Sequence, residues 1–418
     1  MDEQDTVEAG SSQQRRDRAG WRRWPALVLV AVVVLTAVAI VVRATHGGSS
    51  AEAEAPHADE SIAGEAVTVG VDTCGGQWDG GEAGPLSLAL WNNSIQPIEV
   101  YLEQPSTKKV YLDAENLGAG ATRHYTVTLG PGTYRFYCMP SDADPVTGQT
   151  WKLTGSYSGQ TTPGMVPVTV NDLIPRLDDY IAWVRGQLPS LRRQAKRLDA
   201  DVRAGDLAAA KGDWLTAHLH YETLGAAYDA FGDDGDAIDA SPSVGVDPVT
   251  DPDLAGFHKI EALLWAGRPA AAIRPHTAAL VTAIDHLHHD LVNPVLTTQM
   301  IGLRAHEILE DAVKFELTGL NDAGSGTGLA TIDANLDGTV HALKPIRSLL
   351  TSRDPDLAET YAWIARSRKL VESYHTDGRW RGLDSLTERQ REELNATLDQ
   401  TVELLSEVAV ITDPRRSR

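Results

Sequence analysis

The sequence predicts three parts in order: an N-terminal transmembrane helix, an all-β sandwich and an all-α helical bundle. The first part rests on an uncharged apolar run that begins at Pro25 and ends at Val42. The other two rest on hydrophobic periodicity, which is two residues from about residue 66 to 171 and three to four residues from 172 to 413. A chain of 418 residues is too long for one ordinary core, so two folded domains with appendages are expected.

The N-terminal region predicts a membrane anchor at residues 25–43, preceded by a polar tail at residues 1–24 that ends in a basic cluster. Because the basic residues come first, we expect the tail in the cytoplasm and both folded domains outside, in a single-pass protein of the cell membrane. A cleaved signal peptide is the alternative, although the apolar run is longer than a typical signal core. Residues 44–65 predict a solvated linker.

The segment from residue 66 to 171 predicts a β-sandwich, because short β-rich runs alternate with Gly, Pro and Asn turns. Seven strands are expected, at residues 67–71, 86–91, 98–102, 109–112, 124–129, 133–137 and 165–170. Cys74 follows the first run and Cys138 ends the sixth, so parallel strands would bring both sulfurs to one end of the sandwich. A disulfide suits an extracytoplasmic location, and a paired-thiolate metal site is the alternative.

The segment from residue 172 to 413 predicts a helical bundle. Helices are expected at residues 173–202, 207–228, 254–267, 276–291, 297–317, 328–350, 356–374 and 386–411. The last helix begins with Ser385-Leu386-Thr387-Glu388, which has the spacing of a capping box. Residues 232–253 are acidic and predict a long loop that leads into the helix at residues 254–267.

The formal net charge of −21 argues against nucleic acid as a partner and favours the attraction of cations. Solubility alone would also explain an acidic surface. The two cysteines lack the spacing of a zinc ribbon. The charge is therefore compatible with a cation-binding protein but does not assign one.

The strongest candidate for chemistry is the pair His258 and Glu261 in the stretch G-F-H-K-I-E-A-L-L-W at residues 256–265. A three-residue spacing puts both side chains on one face of a helix. Imidazole and carboxylate together suit iron, zinc or manganese. A salt-bridged surface pair is the simpler alternative, but the apolar flanks of the motif favour a buried pair that needs a partner.

Several blocks in sequence order resemble the imelysin-type domain of EfeO-type iron uptake proteins, which are extracytoplasmic components of an iron uptake system. The sandwich is similar to the cupredoxin-like domain that precedes the bundle in that family, and the resemblance covers about residues 66–411. The blocks are A-G-D-L-A-A-A-K at 204–211, H-Y-E at 220–222, F-G-D at 231–233, I-D at 238–239, the 256–265 stretch, A-H-E-I-L-E-D-A-V at 305–313 and A-N-L-D-G at 334–338.

The resemblance implies a metal site on the bundle, with His258 and Glu261 as the ligands of a G-x-H-x-x-E motif. It also suggests that Glu222 and Glu307 approach this pair. Alternatively, Glu222 pairs with His218 one turn earlier, and Glu307 is an exposed helix charge.

The chain also departs from the family. His218 stands where an arginine is usual, Gly225 replaces a second glutamate, and residues 325–332 lack the His and Asp of the corresponding family block. Lost ligand positions would weaken or reshape a metal site, because water takes the place of each missing ligand.

In the sandwich, the resemblance implies Cys74, Cys138, Glu99 and Glu115 as candidate metal ligands, with Glu103 as a further candidate. A blue-copper centre needs two histidines, and His124 is the only histidine in this segment, so electron-transfer copper does not fit. Structural roles are the alternative for Glu103 and Glu115.

The resemblance implies a non-enzymatic, membrane-anchored protein that binds iron, ferrous or ferric, and delivers it to a membrane iron permease. Copper or zinc is the alternative ion, and a haem-dependent peroxidase of the same system is a second expected partner. One alternative function is an imelysin-type metallopeptidase, although the H-E-x-x-H motif of helical zinc peptidases is missing. Another is an envelope protein that kept the fold and lost the metal.

Overall fold

The computed structural model describes residues 64–291, 297–298 and 300–416, which form a β domain followed by a helical domain. The predicted cytoplasmic tail and membrane anchor, and nearly all of the linker, lie outside the described residues. Among the helices that are described, none is both long and apolar enough to cross a membrane. The predicted order of a sheet region and then a helical region is confirmed.

Two sheets build the β domain in the described part of the chain, in the strand orders β2-β1-β4-β7 and β3-β9-β8-β5-β6. Strands β1 and β4 pair in parallel, as do β3 and β9, and the other neighbours are antiparallel. The strands are β1 Glu65–Val69, β2 Cys74–Gly76, β3 Gly81–Glu82, β4 Gly84–Asn92, β5 Ile98–Gln104, β6 Lys109–Leu117, β7 Thr122–Leu129, β8 Gly132–Pro140 and β9 Val146–Thr154.

The core of the β domain comes from alternate residues of these strands. Leu88 and Leu90 of one sheet and Val100 and Phe136 of the other are fully buried in a single cluster. Trp78 meets the ring of Phe136 edge-on, with 5.1 Å between ring centroids. Strands that bury every second side chain in this way are the expected result of a period-two pattern.

One predicted strand is wrong, and three observed strands, β2, β3 and β9, were not predicted. The last predicted strand, residues 165–170, contributes only two isolated bridges, from Met165 to Val110 and from Thr169 to Arg415. Thr169 also caps the first helix, in a capping box with Asp172. Strand β9 was not predicted. Only Leu153 of its nine residues is buried, so the apolar alternation that signals a strand is nearly missing there.

The two cysteines form a disulfide, with 5.8 Å between their Cα atoms. Cys74 begins β2, and Cys138 lies in β8. The alternative prediction of a paired-thiolate metal site is therefore contradicted, because each sulfur is bonded to the other and neither is a thiolate.

Nine α-helices lie in the described part of the helical domain. They are α1 Val170–Ala204, α2 Leu207–Glu222, α3 Gly232–Asp239, α4 Gly256–Trp265, α5 Ala270–Asp290, α6 Met300–Asp311, α7 Gly328–Leu350, α8 Leu357–Glu372 and α9 Glu388–Thr412. A π-helical turn, Ala312–Glu316, extends α6, and a short hairpin of β10 His375–Thr376 and β11 Arg379–Trp380 precedes α9. The helices share one core that includes Leu188, Trp214, Phe257, Leu343 and Leu398.

Two details of the helical prediction are corrected. The segment expected to be a loop begins with α3, whose sequence G-D-D-G-D-A-I-D buries only Ile238 and thus carries little helical periodicity. The capping box of α9 is formed by Thr387 and Gln390 rather than by Ser385 and Glu388. Ser385 lies in a 3-10 turn, and the next residue, Leu386, is buried with an extended backbone. Thr387 is therefore the N-cap, and the helix begins at Glu388.

Candidate metal centre

Three helices bring the candidate site together. Helix α2 carries His218 and Glu222 one turn apart, α3 ends at Asp239, and α4 carries His258 in its first turn. The contact between α3 and α4 depends on Gly256, which has a φ of +66°. A Cβ at this position would lie 1.8 Å from the carbonyl oxygen of Ile238, so only glycine lets α4 begin directly against the end of α3.

Two imidazoles and a carboxylate face one another at this junction. The ligand atoms of His218, Asp239 and His258 all lie within 4.8 Å of one another. Asp239 Oδ1 is 3.6 Å from His258 Nε2 and 3.7 Å from His218 Nε2. Ligands held about 2.0–2.1 Å from a tetrahedral ion are themselves about 3.3 Å apart, so one ion fits between these atoms after small shifts.

The same atoms are buried and poorly satisfied. His218 and His258 are 2% and 4% exposed. Within the described part of the chain, Asp239 Oδ1 and both ring nitrogens of His218 are buried without a hydrogen bond of good geometry. Buried polar atoms are nearly always hydrogen-bonded, and the partners that His218 Nε2 and Asp239 Oδ1 have nearby are the charged groups of the cluster itself, so a cation among them would satisfy these atoms.

Glu222 joins the cluster from α2. Its Oε1 lies 3.1 Å from His218 Nε2, and its Oε2 accepts a 2.7 Å hydrogen bond from the amide of Asn335 on α7. Glu222 therefore pairs with His218 one turn earlier, as the alternative prediction stated. Because the ring of His218 contacts the ring of His258, this pairing also places Glu222 in the cluster that contains His258. Glu222 is a candidate fourth ligand.

Glu261 supports His258 from the same helix. Its Oε2 lies 3.2 Å from His258 Nδ1, and its Oε1 accepts a 2.9 Å hydrogen bond from the backbone N–H of Ser325. His258 Nδ1 therefore contacts Glu261, and His258 Nε2 faces the cluster. The motif suggested Glu261 as a metal ligand, whereas in the structure this carboxylate contacts the imidazole of His258. A carboxylate that fixes the far nitrogen of a metal-binding imidazole sets its tautomer and its orientation.

Burial and neighbouring charges shift the pKa values of the centre. Burial alone would lower the pKa of His258, but the carboxylates of Asp239 and Glu261 outweigh burial and raise it to about 10. Burial raises the pKa of Asp239 to about 6. Burial together with the charge of Glu222 raises the pKa of Glu316 to about 7. At neutral pH His258 is therefore protonated in the ion-free centre. Its positive charge balances the neighbouring carboxylates, as a bound metal ion would.

A cavity of 160 Å³ adjoins the cluster, between α2, α6 and the π-helical turn. Four acidic residues, Glu222, Asp239, Asp311 and Glu316, line it together with one basic residue, Arg304. Acidic walls concentrate cations in a cleft, so the cavity is a suitable approach for a metal ion.

Glu307, which was expected to approach His258 and Glu261, pairs with an arginine instead. It lies on α6 and pairs with Arg304 at 3.0 Å. Glu316 of the π-helical turn contributes the carboxylate to the cavity instead. The predicted role of Glu307 at the metal site is corrected accordingly.

In the β domain, the candidate ligands lie on two different sides of a sheet. The cysteine sulfurs lie in the core, and Glu99 and Glu115 of β5 and β6 point away from it. Val100 pairs with Cys138 and packs in the core, so its neighbour Glu99 points to the outer face of the sheet. Ala114 is a core residue as well, which places Glu115 on that outer face. Glu99 and Glu115 are therefore not gathered with the cysteine sulfurs.

Arginines accompany the acidic residues of the outer face. Arg415 pairs with Asp113 at 3.2 Å and contacts Glu115. Burial raises the pKa of Glu99, and the positive charges of Arg415 and Arg416 partly oppose this increase. Glu103 is fully buried and pairs with Arg135 at 2.7 Å, which is a structural role.

Three residues of the centre were not among the predicted ligands: His218, Asp239 and Glu316. Asp239 belongs to a block that carried the family resemblance, and the i,i+4 spacing of His218 and Glu222 was visible in the sequence. Glu316 had no such signal, because it lies in a π-helical turn.

A family model described as imelysin, in peptidase family M75, matches residues 177–408, which is more than half of the chain. The chain belongs to the imelysin family. The match spans His218, Asp239 and His258, so the whole candidate centre lies within the imelysin domain.

Curated relatives of this imelysin-family chain carry the name iron uptake system component EfeO. One from Yersinia pseudotuberculosis serotype I is 24% identical over 297 residues, covering 71% of this chain and 77% of the relative. One from Escherichia coli O1:K1 / APEC is 23% identical over 328 residues, covering 78% of this chain and 85% of the relative. The predicted resemblance to EfeO-type proteins is confirmed.

Proposed function

We propose that this chain is the metal-binding component of an iron uptake system of the EfeUOB type, which binds iron outside the cytoplasm and delivers it to a membrane permease. The observation that carries the proposal is the buried group of His218, Asp239 and His258, whose ligand atoms converge on one point. The EfeO relatives support iron as the cargo. Copper and zinc suit the same donors and are the alternative ions.

The geometry suits capture and release rather than permanent storage. Imidazole and carboxylate ligands from three helices would hold the ion, and the adjoining acidic cavity would let water or an exchange partner reach it. Exchangeable positions allow the ion to leave when the permease offers a better site.

Calorimetric titration of the full chain in detergent with Fe²⁺ and Fe³⁺ tests this function, alongside a His258→Ala, Glu261→Ala double variant. We expect saturable binding by the native protein and its loss in the variant. Unchanged binding by the variant would move the ion away from the helical domain. A native protein that binds neither ion would favour the alternative of an envelope protein that kept the fold and lost the metal.

A peptidase is the second candidate, because the family name refers to peptidases. The cavity beside the cluster has a volume of only 160 Å³, whereas ligand pockets usually measure about 300–1,000 Å³. An extended peptide would not fit there. We therefore expect no metal-dependent cleavage of casein or of peptide libraries, and cleavage abolished by His258→Ala would reverse this conclusion.

The proposed location is the cell membrane, with residues 25–43 as an uncleaved anchor and both domains outside the cytoplasm. The disulfide between Cys74 and Cys138 supports an oxidising compartment. A cupredoxin-like relationship of the β domain and a haem-dependent peroxidase as a further partner belong to the same proposal. Alkaline phosphatase fused after residue 65 should be active in cells, and an inactive fusion that is produced at a normal level would contradict this orientation.

A further inference from the structure

Three aromatic rings in contact lead from the candidate centre to the surface. The indole of Trp214 stacks on the imidazole of His218, with 4.9 Å between ring centroids and 23° between ring planes. Trp265 meets Trp214 edge-on, with 5.1 Å between centroids. Trp214 is fully buried, whereas Trp265, the last residue of α4, is half-buried and precedes the exposed residues 266–269. The rings therefore form a continuous path from an imidazole of the centre to solvent.

This path offers short steps for an electron. Electron transfer through protein slows steeply with distance, so two steps between touching rings are faster than one long step. Indole is among the side chains that lose an electron most readily, and it can carry the resulting positive charge without releasing a proton. Trp214 Nε1 donates a 2.9 Å hydrogen bond to the carbonyl of Phe257, whose negative oxygen stabilises a positive charge on the indole.

The neighbouring charges give the path a direction. The ammonium of Lys211 lies over the ring of Trp265, 4.7 Å from its centroid, and a cation there makes a positive charge on that ring unfavourable. Trp214 instead lies beside the three carboxylates of the centre, which together outweigh the charge of one divalent ion. These are Glu222, Asp239 and Glu261. A positive charge on Trp265 is therefore drawn inward to Trp214, which means that an electron moves outward.

The tyrosines near the centre suit this task less well. The rings of Tyr221 and Tyr228 stack with 4.8 Å between centroids, and Tyr228 lines the cavity. A phenol usually loses its proton when it loses an electron. The hydroxyl of Tyr228 donates to the backbone carbonyl of Tyr221, which is not a base and cannot take that proton. The two tryptophans are therefore the better path.

We propose that Trp214 and Trp265 conduct electrons from iron bound at the centre to a strong one-electron oxidant at the surface, so that ferrous cargo is oxidised without the oxidant entering the site. This inference rests on the proposed function. The oxidant takes one electron from Trp265, Trp214 restores it, and Fe²⁺ restores the electron of Trp214 and becomes Fe³⁺. One electron leaves the iron and one reaches the oxidant, and no atom or proton is transferred.

The test uses ruthenium(III) tris(bipyridine), generated by a laser flash with an electron-accepting quencher, as the surface oxidant. The full chain in detergent is studied free of ions and after anaerobic loading with Fe²⁺, with calorimetry to show that iron is bound. Peptide mass spectrometry locates oxidised tryptophans in the ion-free protein. Electron paramagnetic resonance of rapidly frozen samples follows the formation of Fe³⁺ in the loaded protein.

The variants are Trp214→Phe, Trp265→Phe and the matched control Trp363→Phe. Trp363 is half-buried on α8 under the guanidinium of Arg366, 4.7 Å from the ring centroid, and it touches no other aromatic ring in the described part of the chain. Circular dichroism checks the fold of each variant.

In the ion-free protein we expect oxidation of Trp214 although it is buried, and its loss in Trp265→Phe but not in Trp363→Phe. With Fe²⁺ bound, native protein and Trp363→Phe should form Fe³⁺ in a fast phase that both path variants lose.

A fast phase that persists in iron-loaded Trp214→Phe and Trp265→Phe would overturn the inference and leave iron binding intact. If Trp214→Phe does not fold, Trp265→Phe at the surface end of the path decides. A native protein that binds no iron would overturn the proposed function, and this inference with it.

Discussion

At the scale of single residues, the centre separates the groups that face the ion from the group that orients them. His218, Asp239 and His258 direct ligand atoms at a common point. Glu261 has both oxygens engaged, one by His258 and one by the backbone of Ser325. The two residues of the H-x-x-E motif therefore have different roles, although the motif treats them alike.

Replacing Glu261 by Gln should weaken iron binding by about 10- to 100-fold without abolishing it, which is the usual effect of losing a group that orients a ligand. The amide keeps the size of the side chain but removes its charge. Glu222→Gln, which alters a carboxylate facing the cluster, should cost more. Calorimetric titration of the two variants compares them directly, and a greater loss in Glu261→Gln would mean that Glu261 itself binds the ion.

Iron affinity should rise with pH between about 6 and 8. The neighbouring carboxylates raise the pKa of His258 to about 10, so the ion-free centre carries a proton there that the ion must displace. Release of one proton on binding makes the apparent affinity rise by up to about tenfold per pH unit. Calorimetry in buffers of different ionisation enthalpy counts the released protons, and an affinity that falls with rising pH would contradict the assignment.

At the scale of secondary structure, the centre depends on the junction of α3 and α4. Helix α4 is almost wholly buried, and even Lys259 is covered, donating to the carbonyls of Pro248, Val249 and Asp251. These bonds hold the segment between α3 and α4 against the helix. The position of Asp239 relative to His258 is therefore set by backbone contacts as well as by side chains.

Gly256→Ala should destabilise the protein by at least about 2 kcal/mol and weaken iron binding, because the new Cβ would meet the carbonyl of Ile238 at a positive φ. Gly212→Ala is the matched control. Gly212 lies in α2, where a Cβ would meet open space among the described atoms, and alanine should add about 0.5–1 kcal/mol. Urea unfolding measures both, and equal stability of the two variants would contradict the close contact.

At the scale of the whole molecule, the residues that follow α9, up to residue 416, return to the β domain. The backbone N–H of Arg415 donates to the carbonyl of Val168, just before α1, and its side chain pairs with Asp113. Arg416 donates to the carbonyl of Met139 at 2.6 Å. The two arginines thus join the outer face of the larger sheet to the helical domain.

An Arg415→Ala, Arg416→Ala double variant should loosen this contact and make residues 155–169, which connect the domains, more sensitive to protease. The ion pairs are partly exposed, so the loss of stability should be no more than about 1 kcal/mol for each. Arg389→Ala, Arg391→Ala on the exposed side of α9 is the control. Limited proteolysis with mass spectrometry gives the cleavage sites. Identical patterns in both double variants would contradict a role for Arg415 and Arg416 in this contact.

Much of the fold was accessible from the sequence, because periodicity records which side of an element is buried. The regular spacing of Leu188, Leu191, Ala195 and Leu198 predicted α1, and all four residues are buried. The alternation of Leu86, Leu88 and Leu90 predicted β4 in the same way. Where few residues are buried, as in β9 and α3, the signal is lost, and both elements were missed.

The sequence by itself determined that His258 and Glu261 share a helix face, since a spacing of three residues is a local property of a helix. Only the tertiary structure decided that His218 and Asp239 face His258. These residues lie on three helices, and their approach depends on the packing of α2, α3 and α4 around Gly256. Contacts between distant parts of a chain arise from packing, which the local pattern of one sequence does not specify.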